Sequence, residues 1–113
     1  MRSQGWSLVC PLEDILPESG VCALLDGRQI AVFRVRDEVF ALDNRDPASS
    51  ANVLSRGIVG DVMGELVVAS PVYKQHFGLR TGRCLENPEF SVRTYPTRVT
   101  NGDVWVRGEA QAQ

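Results

Sequence analysis

Apolar and polar positions along this chain alternate with a short beat. Short runs rich in Val, Ile, Leu and Phe are broken by pairs of turn-forming residues. Val21-Cys22-Ala23-Leu24-Leu25 is separated from Gln29-Ile30-Ala31-Val32-Phe33-Arg34-Val35 by Asp26-Gly27, and Thr97-Arg98-Val99-Thr100 from Asp103-Val104-Trp105-Val106-Arg107 by Asn101-Gly102. Both dipeptides accept the positive φ that two-residue hairpin turns require, so both predict hairpins. Arg36-Asp37, ahead of Glu38-Val39-Phe40-Ala41-Leu42, predicts a third turn, and Thr81-Gly82, between Phe77-Gly78-Leu79 and Cys84-Leu85, a fourth. As a two-residue turn, the fourth sets Leu79 opposite Cys84. Side chains alternate faces along a strand, so Phe77, Leu79 and Cys84 share one face and His76 lies on the other.

Glu65-Leu66-Val67-Val68-Ala69 reads as a buried strand, and Phe90-Ser91-Val92-Arg93-Thr94-Tyr95 alternates like a strand with one solvated face. The one helical candidate, Pro11-Leu12-Glu13-Asp14-Ile15, is stopped by Pro17 after about one turn. About eight to ten short strands at regular spacing predict an all-β fold, a sandwich or small barrel of antiparallel strands. Residues 44–62 break the rhythm. They read as one long irregular segment rich in Ser, Gly and Asn, of the kind that carries function.

Composition narrows the classes. At 113 residues, 43% hydrophobic and 23% charged, the chain is expected to be one domain over residues 1–108, with 109–113 a flexible tail. The formal charge is −2, and the eleven arginines and Lys74 are scattered. A nucleic-acid binder would show a clustered basic stripe, so none is expected as a partner. No apolar run approaches the ~20 residues of a membrane span. With no apolar segment near the start either, a cytoplasmic location is expected. Cys10, Cys22 and Cys84 are odd in number and widely spaced, which predicts reduced thiols. Cys22 and Cys84 read as small buried apolar residues.

No catalytic constellation stands out. The sequence has no phosphate-binding glycine loop, no HExxH, GxSxG or CxxC motif, and one histidine, His76. Asp43 and Asp46, beside Asn44 and Pro47, read as turn residues. No residue is assigned a catalytic role.

Five segments, in order, resemble a Rieske-type ferredoxin domain: Phe40-Ala41-Leu42-Asp43-Asn44, Leu54-Ser55-Arg56-Gly57, Gly64-Glu65-Leu66-Val67-Val68-Ala69-Ser70-Pro71, Phe77-Gly78-Leu79-Arg80-Thr81-Gly82 and Tyr95-Pro96-Thr97-Arg98-Val99. The resemblance implies a Rieske-like β-sandwich. In such domains two loops, Cys-x-His and Cys-x-x-His, hold a [2Fe–2S] cluster, with two thiolates on one iron and two imidazoles on the other. Here the corresponding loops read Asp46-Pro47-Ala48 and Ser70-Pro71-Val72-Tyr73. Asp46 and Ser70 take the Cys positions, Ala48 and Tyr73 the His positions. The expectation is that no metal is held, and that the Tyr73 ring fills the vacated space.

Asp14-Ile15-Leu16-Pro17-Glu18-Ser19-Gly20-Val21-Cys22-Ala23-Leu24, Asn52-Val53-Leu54-Ser55-Arg56-Gly57, Val68-Ala69-Ser70-Pro71 and Phe90-Ser91-Val92 are similar to the small subunits of assimilatory, cytoplasmic NAD(P)H-dependent nitrite reductases. This second resemblance implies a large catalytic partner subunit that carries FAD, a 4Fe–4S cluster and sirohaem and reduces nitrite to ammonium, while this chain binds none of these cofactors. The alternative is a Rieske-type ferredoxin electron carrier with atypical cluster ligands. Residues 44–62 and 70–76 are expected at one end of the domain. There Arg45, Arg56, Tyr73, Lys74 and His76 would form a docking surface, Tyr and Arg being enriched where binding energy concentrates.

Overall fold

The computed structural model describes residues 2–3 and 5–108, and the expected tail at 109–113 lies outside them. The fold is all-β, with eleven strands and three short 3₁₀ turns among the described residues. The strands are β1 (Arg2–Ser3), β2 (Trp6–Pro11), β3 (Ser19–Leu25), β4 (Arg28–Val35), β5 (Glu38–Asp43), β6 (Ile58–Val62), β7 (Glu65–Ala69), β8 (His76–Gly78), β9 (Thr94–Tyr95), β10 (Thr97–Thr100) and β11 (Asp103–Arg107). They form three sheets, ordered β1-β2-β11-β10, β3-β4-β5-β9 and β6-β7-β8. Every pairing is antiparallel.

In the middle sheet, β4 and β5 are covered on both faces. Ala31, Phe33 and Val35 of β4, with Phe40 and Leu42 of β5, pack with Val68, Phe77, Leu79 and Cys84 of the β6-β7-β8 side. The intervening residues Ile30 and Val32, with Val39 and Ala41, turn the other way onto Val104 and Val106 of β11. Period-two alternation thus sends apolar side chains to two different cores. This is why β4 reads as an almost continuous apolar run. Phe33 and Phe77 have no exposed surface, and each such side chain contributes roughly 1.5–3 kcal/mol by leaving water.

The three dipeptide turns fall where the pattern puts them. Leu25 pairs with Arg28, Val35 with Glu38 and Thr100 with Asp103, leaving two-residue loops. Asp26 and Gly27, and likewise Asn101 and Gly102, all have positive φ. Leu12–Asp14 makes the single short turn expected near Pro11.

Four expectations need correction. The fourth turn is longer than two residues. Phe77, not Leu79, faces Cys84, and the intervening loop is closed by the Gly78 N–H on the Arg83 carbonyl and the Gly82 N–H on the Gly78 carbonyl, both at 2.8 Å. Gly82 sits at φ +74°, where a Cβ would stand 2.1 Å from the Val92 carbonyl oxygen. The register moves by two residues, so Phe77, Leu79 and Cys84 still share the core.

Residues 90–95 form a strand only at Thr94–Tyr95. Upstream, Pro88–Phe90 is a 3₁₀ turn capped by Asn87, whose side chain accepts the Glu89 N–H. The Asn-Pro start signal outweighs the alternation that follows it. The irregular segment also ends earlier than expected, because Ile58–Val62 is β6, turned into β7 by Met63 and Gly64, both at positive φ. Finally, Cys22 is exposed: β3 is an edge strand, and Cys22, although paired with Ala31, lies outside the buried cluster that Ala31 joins.

Candidate functional site

The irregular segment 44–57 leaves the end of β5, and segment 70–75 joins β7 to β8. Asn44 organises the first. It is 2% exposed; its Oδ1 accepts the Ser55 N–H at 2.7 Å, and its Nδ2 donates to Gln29 Oε1 at 3.1 Å and to Cys22 Sγ at 3.5 Å. Its backbone carbonyl accepts the Leu54 N–H at 3.0 Å. A buried amide with this many partners fixes the loop's exit as well as its entry. The sequence marks Asn44 only as a turn former, so this role carries no local signal.

Asp46 and Ser70 then join the two segments. Both are fully buried, and Ser70 Oγ donates to Asp46 Oδ2 at 2.5 Å. The other Asp46 oxygen accepts the Ala48 N–H at 2.9 Å, and Ser70 Oγ accepts the Val72 N–H at 3.3 Å. Gly57 lets the strands at the root of the site approach closely: a Cβ there would stand 2.4 Å from the Ala69 carbonyl oxygen.

The structure thus brings two of the four ligand-aligned positions into direct contact. It does not do so for the other two. Ala48 offers only its backbone N–H, to Asp46. Tyr73 is 63% exposed, so its ring does not fill the space between the loops, contrary to expectation. Its neighbour Lys74 has φ +64°, and the turn carries Pro71, Val72, Tyr73 and Lys74 out into solvent. Among the described residues, no group of three or more His, Cys, Asp or Glu side chains is placed to hold a metal ion.

The remaining surface residues surround this end. Arg45 is exposed and donates to Ser50 Oγ at 2.9 Å, within its own loop. Arg56, also exposed, closes the short turn Leu54–Arg56. Lys74 Nζ donates to the Pro71 carbonyl at 3.3 Å. His76 is half-buried, with Nδ1 2.6 Å from Glu86 Oε2, and its backbone N–H donates to Glu86 Oε1 at 2.8 Å. Partial burial pushes the Glu86 carboxyl up, but the His76 backbone and imidazole contacts outweigh it and hold the group below its usual range.

Cys84 Sγ lies 3.8 Å from Glu86 Oε1, so histidine and thiol share a carboxylate and not each other. Glu86 was not expected here. One further group lacks an expected partner: Gln75 Oε1 is buried without a hydrogen bond. The arrangement offers hydrogen-bond donors, cations and an exposed Val72–Tyr73 apolar tip.

Residues 5–107 match the family described as the Rieske-like [2Fe-2S] domain. The chain is 50% identical over 105 residues to the nitrite reductase (NADH) small subunit of Escherichia coli (strain K12), covering 91% of this chain and 97% of that protein. It is 51% identical over 106 residues to a nitrite reductase [NAD(P)H] large subunit of Klebsiella oxytoca, covering 94% of this chain but spanning only 11% of that protein's length. The solution structure of the nitrite reductase [NAD(P)H] small subunit from Erwinia carotovora superposes with a TM-score of 0.81 at 50% identity, over 98% of this chain and 86% of that one. The chain belongs to the Rieske-like [2Fe-2S] domain family and, within it, to the nitrite reductase small subunits.

Proposed function

We propose that this chain is the non-catalytic small subunit of a cytoplasmic NAD(P)H-dependent nitrite reductase of nitrate assimilation. On this reading it binds a large subunit that carries FAD, 4Fe–4S and sirohaem, and it holds no [2Fe–2S] cluster itself. The observation that carries the assignment is the match along almost the whole length of a nitrite reductase small subunit. The partnership is supported by the same domain occurring inside a large-subunit polypeptide. The chemistry would belong to cofactors of the partner.

The absence of a cluster rests on donor chemistry. A Rieske centre needs two thiolates and two imidazoles. A carboxylate, a hydroxyl, a methyl and a phenol are poor donors to a soft iron–sulfide core. Asp46 and Ser70 are already each other's partners, and Tyr73 points outward. The residues present do not fit the group, and the electron-carrier reading is the weaker for it.

Docking uses the loop end. Exposed Val72 and Tyr73 supply apolar area, and Arg45, Arg56, Lys74 and His76 supply charge and hydrogen bonds around it. Arg56→Glu and Tyr73→Ala keep the fold, since both side chains are exposed, and each weakens capture of the large subunit by on the order of tenfold. Pull-down from nitrate-grown cells measures this, and normal recovery with folded variants would remove the docking surface from consideration. Iron and acid-labile sulfide assays on anaerobically purified protein test the cofactor statement. Stoichiometric iron would restore the ferredoxin reading.

A further inference from the structure

We propose that the buried Ser70–Asp46 hydrogen bond clamps the two tip loops together, doing the structural work that a bound cluster would do by cross-linking them. The inference rests on the docking reading for its purpose but not for its existence.

The geometry is specific. Among the described residues, the 2.5 Å bond from Ser70 Oγ to Asp46 Oδ2 is the one hydrogen bond joining segment 44–57 to segment 70–75. Each partner also makes several hydrogen bonds within its own loop. Asp46 N–H donates to the Ala51 carbonyl at 2.8 Å, its carbonyl accepts the Ser50 N–H at 2.7 Å, and its carboxylate takes the Ala48 N–H. Ser70 N–H donates to the Gln75 carbonyl at 2.9 Å, its carbonyl accepts the Lys74 N–H at 3.0 Å, and its hydroxyl takes the Val72 N–H. Disturbing either residue therefore loosens a whole loop, and the bridge transmits that to the other.

The chemistry suits a clamp. A carboxylate with no exposed surface must be matched by donors, and the Ser70 hydroxyl and Ala48 N–H supply two. A hydrogen bond to an ionised acceptor is about twice as strong as a neutral one. The side chains meet at the two positions aligned with cysteine ligands, where a shared iron would otherwise unite them. The Pro71–Lys74 turn, which carries Tyr73, springs directly from Ser70, so the clamp sets the position of the docking tip.

Amide hydrogen exchange tests the clamp on the intact chain. Asp46→Ala is expected to accelerate exchange at Ser70 and Lys74, in the loop it does not belong to, and Ser70→Ala at Ala48 and Ser50. Each single variant lowers the folding equilibrium constant by about 10- to 100-fold, and Asp46→Ala/Ser70→Ala loses less than the two single losses combined, the signature of coupled partners. Asp46→Asn keeps exchange slow in both loops, because its amide can accept from Ala48 and donate to Ser70 Oγ. If Asp46→Ala is too unstable to study, Ser70→Ala and Asp46→Asn alone decide the matter. Exchange confined to the mutated loop, or additive losses, would overturn the clamp. Capture of the nitrite reductase large subunit should fall tenfold or more with Ser70→Ala and be retained with Asp46→Asn. Unchanged capture, with cross-loop exchange accelerated, would leave the clamp standing and remove docking as its purpose.

Discussion

The Tyr95 hydroxyl donates to Asp43 Oδ1 at 2.5 Å, tying β9 to the residue at which the chain leaves β5 for the first tip loop. Arg28 Nη1 donates to the same phenol oxygen at 3.4 Å. Burial, and then the Asp43 carboxylate, push the Tyr95 hydroxyl above its ordinary range, with Arg28 opposing. The site's entry is anchored here, away from the loops themselves.

Tyr95→Phe should destabilise the domain by about 1–2 kcal/mol, the cost of leaving the Asp43 carboxylate short of a donor. The sign of the pH effect follows from the raised value. The phenol stays protonated in the fold when the unfolded chain has begun to ionise, so its contribution is complete below about pH 10 and lost as the pH rises further. Urea titrations from pH 8 to 11 should show a steeper loss for the natural protein than for Tyr95→Phe.

The His76–Glu86 pair gives the opposite slope. The Glu86 carboxyl is held below its usual range by His76, against the push of burial, so its ionised form is favoured by folding. That contribution is present above the ordinary glutamate value of about 4.3 and disappears as the pH falls through the lower folded value. Glu86→Gln should flatten this part of the acid-unfolding profile. Equal acid sensitivity in the two proteins would show that the pair contributes nothing.

Gly57→Ala should cost about 1–3 kcal/mol. The added methyl would stand 2.4 Å from the Ala69 carbonyl oxygen and 2.6 Å from Val68 Cγ2, against backbone and a fully buried side chain. Gly60→Ala, with nothing within 4 Å of the added Cβ, is the control. Thermal midpoints should separate the two by several degrees.

The three thiols should react in a fixed order. Cys22 is exposed, Cys10 is partly buried, and Cys84 has no exposed surface. Burial, then Asp14 and Asp103, raise the Cys10 thiol and slow it further. Alkylation of the native protein, read by mass spectrometry, should label Cys22 first, Cys10 slowly and Cys84 only on unfolding.

What the sequence determined by itself was local. Asp26-Gly27 and Asn101-Gly102 specify their turns because the required positive φ is a property of the dipeptide. The short apolar runs Ile30-Ala31-Val32-Phe33 and Leu66-Val67-Val68-Ala69, each bounded by turn-forming residues, identify strands because they are too short for a helix and rich in β-branched residues. The family was legible because five segments, from Phe40-Ala41-Leu42-Asp43-Asn44 to Tyr95-Pro96-Thr97-Arg98-Val99, stand in the family's order.

Tertiary structure decided the rest. The Phe77–Cys84 register depends on a loop closed by backbone hydrogen bonds, which spacing does not reveal. Cys22 is exposed because β3 lies at a sheet edge, and Tyr73 faces solvent because its turn projects outward. The Ser70–Asp46 bond spans 24 positions of sequence. It exists because two loops from different sheets converge, and the distance between their side chains is set by the packing of the sheets that carry them.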